Sequence, residues 1–87
     1  MKRLIFEDIA FDHYNEWARI NIKTFDKIGD LLRDIQRNPF KGIGKPEPLK
    51  YHLKGSWSRI IDDKHRLVYS VMPSGEVLII SCKGHYD

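Results

Sequence analysis

Ala10, Tyr14 and Trp17 recur at helical spacing over residues 8–19. A second apolar stripe, Phe25, Ile28, Leu32 and Ile35, runs through residues 22–37 against Lys23, Lys27, Asp30, Asp34 and Arg37. The pattern predicts two amphipathic helices forming an antiparallel pair. Asn38-Pro39 ends the second, because a residue before proline is pushed out of the helical region. Residues 2–6 read as a short strand, and residues 40–48, with two glycines and two prolines, as a stiff loop carrying Glu47. From Leu49 the period changes to that of strands, over residues 49–53, 57–62, 66–72 and 77–83, separated by Lys54-Gly55, Asp62-Asp63-Lys64 and Pro73-Ser74-Gly75. The order β-α-α-β-β-β-β predicts an α+β fold, with two N-terminal helices on one face of a small antiparallel sheet and the other face open. Residues 66–72 and 77–82 are apolar on both faces and are expected to be the central strands.

A chain of 87 residues accommodates one domain with a modest core, and a domain of this size often leans on a partner. The lone Cys82 lies in an apolar run, which reads as a buried thiol and fits a reducing cytoplasm. The N-terminus becomes charged too soon for a signal peptide, and no apolar run is long enough to span a bilayer. These features predict a soluble cytoplasmic protein. His13, His52, His65 and His85 lack metal-ligand spacing, and Gly42-Ile43-Gly44 does not sit between a strand and a helix, so neither a metal site nor a dinucleotide cofactor is expected.

The net charge of +3 is unevenly placed: residues 1–38 carry 7 basic and 7 acidic groups, residues 39–87 carry 8 and 5. Lys41, Lys45, Lys50, Lys54 and Arg59 surround one carboxylate, Glu47, a field that attracts phosphate or else a solvated loop face. A carboxylate, cations, a histidine and a tyrosine without a metal are enough for one chemistry in particular. RNA supplies its own nucleophile, the 2′-hydroxyl, so a protein need only remove that proton, stabilise charge on phosphorus and protonate the leaving oxygen. Imidazole changes protonation near neutral pH and suits the last step. Each group also has a structural reading: Glu47 as a surface charge, Arg66 as a partner of Asp62 or Asp63, and His85-Tyr86 as a frayed end.

The stretches G-K-P-E-P-L-K (residues 44–50), W-S-R (57–59), H-R-L-V-Y (65–69) and the terminal His85-Tyr86 together resemble the YoeB/Txe family of the RelE toxin superfamily. The similarity runs over nearly the whole chain. It implies a microbial-ribonuclease-like fold and cofactor-free cleavage of mRNA in the ribosomal A site by a toxin of a toxin–antitoxin pair. It further implies neutralisation by a YefM-like antitoxin, and it allows a homodimer. On matching positions Glu47 is the general base, His85 the general acid, Arg66 and Lys50 the cations that stabilise the transition state, and Tyr86 an orienting group. RNA contact is expected from Lys45, Lys54, Trp57, Arg59 and His65. A non-catalytic member of the superfamily, a gyrase poison, or an RNA-binding module are the alternatives. Three positions depart from the family pattern. Ile60 stands where many members carry a second arginine, Gly84 precedes the terminal pair and predicts a looser tail, and Asp87 adds negative charge.

Overall fold

The computed structural model describes residues 1–85. β1 (Leu4–Phe6) leads into α1 (Asp8–Ile20) and α2 (Ile22–Arg37); β2 (Glu47–Pro48), β3 (Ser56–Ile60), β4 (Arg66–Val71) and β5 (Val77–Ser81) follow. The strands form one sheet in the order β1-β5-β4-β3-β2, with β4 and β5 inside as their two-sided apolar character predicts. The architecture is the α+β arrangement expected. One pairing differs: β1 runs parallel to β5, Leu4 beside Val77 and Phe6 beside Ile79, so the sheet is mixed. No tight turn joins these two strands, which lie at opposite ends of the chain, so local sequence leaves their relative direction open.

The second difference lies at residues 49–53, expected as a strand. Pairing of Glu47 with Ser58 and Pro48 with Trp57 places β2 earlier, inside the predicted loop, and gives the reversal to residues 49–55. A single 3-10 turn, Tyr51–Leu53, fills that reversal. Pro48 is tolerated because β2 is an edge strand, where a missing N–H costs no ladder bond.

The helices cover one face of the sheet. Asn21 separates them: its backbone N–H caps the end of α1 on Trp17, and its side chain accepts from the Thr24 N–H at the start of α2. Ala10 and Trp17 of α1 and Ile28, Leu31, Leu32 and Ile35 of α2 close over Leu67, Tyr69, Val77 and Ile79, joined by Ile61 and Cys82. Among the described residues no helix is long and apolar enough to cross a membrane.

Arg59 was expected on a phosphate-facing surface; it is fully buried on the helix side instead. Side chains alternate along a strand, so Trp57 and Arg59 face the helices while Ser56, Ser58 and Ile60 face away. The Arg59 guanidinium donates to Asp34 Oδ2 at 2.6 Å and to the carbonyls of Ile43, Asn38 and Lys41, and its Nε donates to the Tyr69 hydroxyl. The Tyr69 hydroxyl in turn donates to the Pro39 carbonyl. Gly42 approaches Asp34 with φ 135, and a Cβ there would fall on the carboxylate. The Arg59 hydrogen bond outweighs partial burial and, with the Ile43 N–H, holds the Asp34 carboxyl below its ordinary value of 3.8.

Arg59→Met strips Asp34 of its closest cation, leaving it the Ile43 N–H and the longer contact to Arg37, and removes the donor to the Asn38, Lys41 and Ile43 carbonyls. It is expected to lower unfolding free energy by about 3–5 kcal/mol in urea titrations. The unfolded Asp34 carboxyl takes up a proton before the folded one does, so its contribution is complete above about pH 3.8 and is lost as pH falls through the lower folded value. Asp34→Asn should therefore flatten the acid limb of stability against pH, as well as lowering stability at neutral pH.

Candidate functional site

The face turned away from the helices is set by strand register. Glu47 lies opposite Ser58, Ser58 opposite Val68, and Val68 opposite Ser81, giving one cross-strand row over four strands. Val68 is completely buried yet stands apart from the helix-side core, and Ser58 and Ser81 beside it are buried too. Two residues along β4, Arg66 projects from the same face with Ile60 opposite it. Two interstrand spacings separate β2 from β4, roughly 10 Å. Glu47 is exposed at the sheet edge, and its side chain and that of Arg66 are long enough to reach into the interval from either side.

Arg66 is half-buried and partly fixed. Its Nη1 donates to the Asp62 carbonyl at 2.6 Å and to the His65 carbonyl at 3.1 Å. The Asp62 carboxylate is engaged elsewhere, accepting from the N–H groups of Lys64 and His65. An ion pair with Asp62 or Asp63 is thus not what holds Arg66. Among the described residues nothing takes its Nη2, which leaves one arm of the fork for an anionic oxygen.

His85 reaches this region through the segment after β5. The Arg66 N–H donates to the Gly84 carbonyl at 2.8 Å, and the Gly84 N–H donates to His65 Nδ1 at 2.9 Å. Residue 84 is therefore pinned on both sides to the start of β4, and exposed His85 emerges next to Arg66. Gly84 has φ 99, a left-handed conformation that glycine adopts without strain. Glycine at this position lets the segment turn into both hydrogen bonds. Tyr86, and Asp87 after it, lie outside the described residues.

The remaining expected contacts divide. Lys45, Lys50 and Lys54 are exposed around Glu47, Lys45 with φ 52 in the approach to β2 and Lys50 at the start of the 3-10 turn. Trp57, expected on RNA, packs against the core and Phe40, ring centroids 4.9 Å apart, because its parity is that of Arg59. His65, also expected on RNA, turns its Nδ1 to the tail and stands edge-on to Trp17. Tyr51 was not anticipated: it is 84% exposed and holds φ 57, an uncommon conformation for a tyrosine. The sequence signal was its place between Lys50 and His52. Cys82 is a buried thiol as expected, pushed up to about 12 by desolvation. Among the described residues no group of three or more His, Cys, Asp or Glu is arranged to hold a metal ion.

The face turned away from the helices thus carries a carboxylate at one edge and an arginine on a central strand; the chain enters His85 from a residue bonded to that arginine's backbone, and Lys45, Lys50 and Lys54 are exposed near Glu47 in sequence. Residues 6–86 match the family described as YoeB-like toxin of bacterial type II toxin-antitoxin system. The chain is 44% identical to the toxin YoeB of Escherichia coli over 84 residues, 97% of this chain and 99% of that one. A YoeB/ParE toxin from Agrobacterium tumefaciens superposes with a TM-score of 0.92 at 44% identity, covering 97% of this chain and 99% of its own. A Staphylococcus aureus YoeB solved in complex with YefM gives 0.87 at 44% identity, with 99% of both chains covered, and that organism's YoeB has also been solved as a dimer.

Gly84→Ala meets open space but must hold φ 99, a local cost of about 1–3 kcal/mol. The expected result is amide exchange at Arg66, whose N–H bonds the Gly84 carbonyl, at least about tenfold faster than in the parent protein, with the amide of Leu67 unchanged.

Proposed function

The chain belongs to the YoeB-like toxins of bacterial type II toxin–antitoxin systems, and we propose that it acts as an endoribonuclease that cuts mRNA in the ribosomal A site without metal or cofactor. The observation that carries this reading is the sharing of one sheet face by Glu47 and Arg66, with His85 delivered beside Arg66 through the Gly84 hydrogen bonds.

The reaction asks for three things at one phosphodiester. The Glu47 carboxylate takes the proton of the 2′-hydroxyl, whose oxygen then attacks phosphorus. Arg66 and Lys50 take up the charge that accumulates on the non-bridging oxygens, the guanidinium through its Nη2 edge and the lysine as a mobile point charge. His85 gives its proton to the departing 5′-oxygen, leaving a 2′,3′-cyclic phosphate on one fragment and a 5′-hydroxyl on the other. Tyr86 is assigned to orienting the phosphate or the base. Lys45 and Lys54 extend the positive rim along the strand of RNA, and exposed Tyr51 offers a ring on which a base can stack. Arg59 belongs to the scaffold of this site and not to its RNA-contacting surface, and half-buried Trp57 and His65 are assigned to support the site.

A YefM-like antitoxin is the partner we assign, on the strength of the Staphylococcus aureus complex. Its acidic contacts would cover the same exposed cations, so that inhibition excludes RNA by occupation. We place the protein in the cytoplasm, where ribosomes and mRNA are, and a homodimer is the second assembly that its relatives support.

Glu47→Gln and His85→Gln are each expected to reduce cleavage by about 10²- to 10⁴-fold. The measurement is 5′-end mapping of mRNA on purified ribosomes: a cut inside the A-site codon supports the reading, and its absence from the parent protein moves the function to a non-catalytic toxin or an RNA-binding module. Ile60 opposes Arg66 on the working face, in the place where a second cation would help hold phosphate. Ile60→Arg should steepen the salt dependence of single-stranded RNA binding by about 0.7 in log–log slope. A slight loss of stability should accompany it, because the two like charges face each other across the ladder.

A further inference from the structure

The segment between β5 and His85 is held by more side chains than its length requires. The Trp17 indole N–H donates to the Cys82 carbonyl at 2.8 Å, and Lys83 Nζ reaches Glu16 of α1 at 2.5 Å. Two further bonds share an unusual form: a backbone N–H of the segment donates to an imidazole Nδ1. Cys82 N donates to His13 Nδ1 at 3.3 Å, and Gly84 N donates to His65 Nδ1 at 2.9 Å. His13 comes from α1 and His65 from the turn before β4, so the two grip the segment from different elements. An imidazole can accept at Nδ1 only while that nitrogen carries no proton, which assigns the ring proton of each neutral histidine to Nε2.

We propose that His13 and His65 are positioning residues: as neutral imidazoles they accept from the Cys82 and Gly84 backbone N–H groups and so latch the segment that presents His85 to Arg66. The latch follows from the hydrogen bonds themselves; its consequence for cleavage rests on the nuclease reading of the site.

The charges around the two rings set how the latch responds to acid. His13 is faced by Lys83 from the segment and by Glu16 and Asp12 from its own helix; burial, then Lys83, hold it below its ordinary 6.5, against the two carboxylates. It therefore stays an acceptor at neutral pH. Because the unfolded histidine takes up a proton first, the contribution of the His13 bond is complete above about pH 6.5 and declines as pH falls below it. His65 has the Trp17 ring edge-on at 4.9 Å, the Asp62 carboxylate on its own backbone N–H, and Arg66 as its chain neighbour. Protonation at Nδ1 of either ring turns an acceptor into a donor facing another donor, and releases the segment.

The test replaces His65 by leucine and, separately, by asparagine, whose Oδ1 falls near the position of Nδ1 and accepts as it does. At pH 7 the Gly84 amide should exchange at least about tenfold faster in His65→Leu than in the parent, and within about threefold of the parent in His65→Asn. Leu67 and Val68 amides, measured in the same spectra, should stay protected in both. In ribosome-dependent cleavage His65→Leu should lower kcat with KM nearly unchanged, and His65→Asn should restore most of it. Gly84 equally protected in folded His65→Leu and in the parent overturns the latch. If His65→Leu does not fold, His13→Leu against His13→Asn, read at the Cys82 amide, decides it in the same way. A parent protein that cuts no RNA removes the nuclease reading and leaves the exchange result to decide the latch.

Discussion

Arg59 sits without exposed surface between α2 and the sheet, and its guanidinium is where three segments of the chain meet. Asp34 belongs to the last turn of α2, the carbonyls of Asn38, Lys41 and Ile43 belong to the loop that follows, and Tyr69 belongs to β4. A buried cation with no partner costs several kcal/mol, so the loop has one conformation in which every donor is met and is held to it by the penalty on the others. The Ile60 N–H adds a bond to the Gly44 carbonyl at 2.7 Å, just before the chain enters β2. The direction in which Glu47 leaves that loop is consequently fixed by a charge on the far side of the sheet. A two-residue edge strand would be a weak platform for a carboxylate on its own.

This explains which parts of the molecule were legible in the sequence. The helix stripes were, because Ile28, Leu32 and Ile35 repeat at a period that solvent exposure itself enforces, and the central strands were, because two-sided burial leaves an unbroken apolar run. Arg59 was misplaced for a physical reason: a charged residue in a basic cluster reads as surface until its strand parity is considered. Trp57 and Arg59 share one face, and the acceptor that makes this tolerable, Asp34, is 25 positions away on a helix where it looked solvated. The same holds for His65, whose partner Gly84 comes from a distant segment. Glu47 and Lys50 are exposed, as their place in a basic, proline-rich loop suggested, whereas Arg66 is half-buried with one arm of its guanidinium held by backbone carbonyls. The parallel β1–β5 pairing had no local trace at all.

Ile60 shows how register turns a difference in composition into a statement about function. Where the family resemblance implies two successive arginines, this chain has only the first, and the first is the one whose parity directs it into the core. The position that changed faces outward and opposes Arg66. The fold is therefore left intact by the replacement, and its effect falls on the charge of the working face. Arg66 remains on that face, and Lys45, Lys50 and Lys54 are exposed in a part of the chain with a basic excess, so the proposed attraction for phosphate would persist with less of it concentrated at the centre.

The two helices divide the support of the site between them. α2 supplies Asp34, which through Arg59 fixes the loop leading to Glu47. α1 supplies Trp17, His13 and Glu16, which fasten Cys82 and Lys83 on the way to His85. Arg66 begins a central strand flanked on both sides and needs less help from either helix. A carboxylate on a short edge strand and an imidazole on the segment after β5 are the members of the set with the least backbone pairing of their own. Each is supported from the helix side, the first through Asp34 of α2 acting on Arg59 and the second by side chains of α1. Substitutions in the interior of α2 should thus act on the Glu47 arm and those along the inner face of α1 on the His85 arm, with coupling between the two carried by the β3–β4 ladder that both arms share.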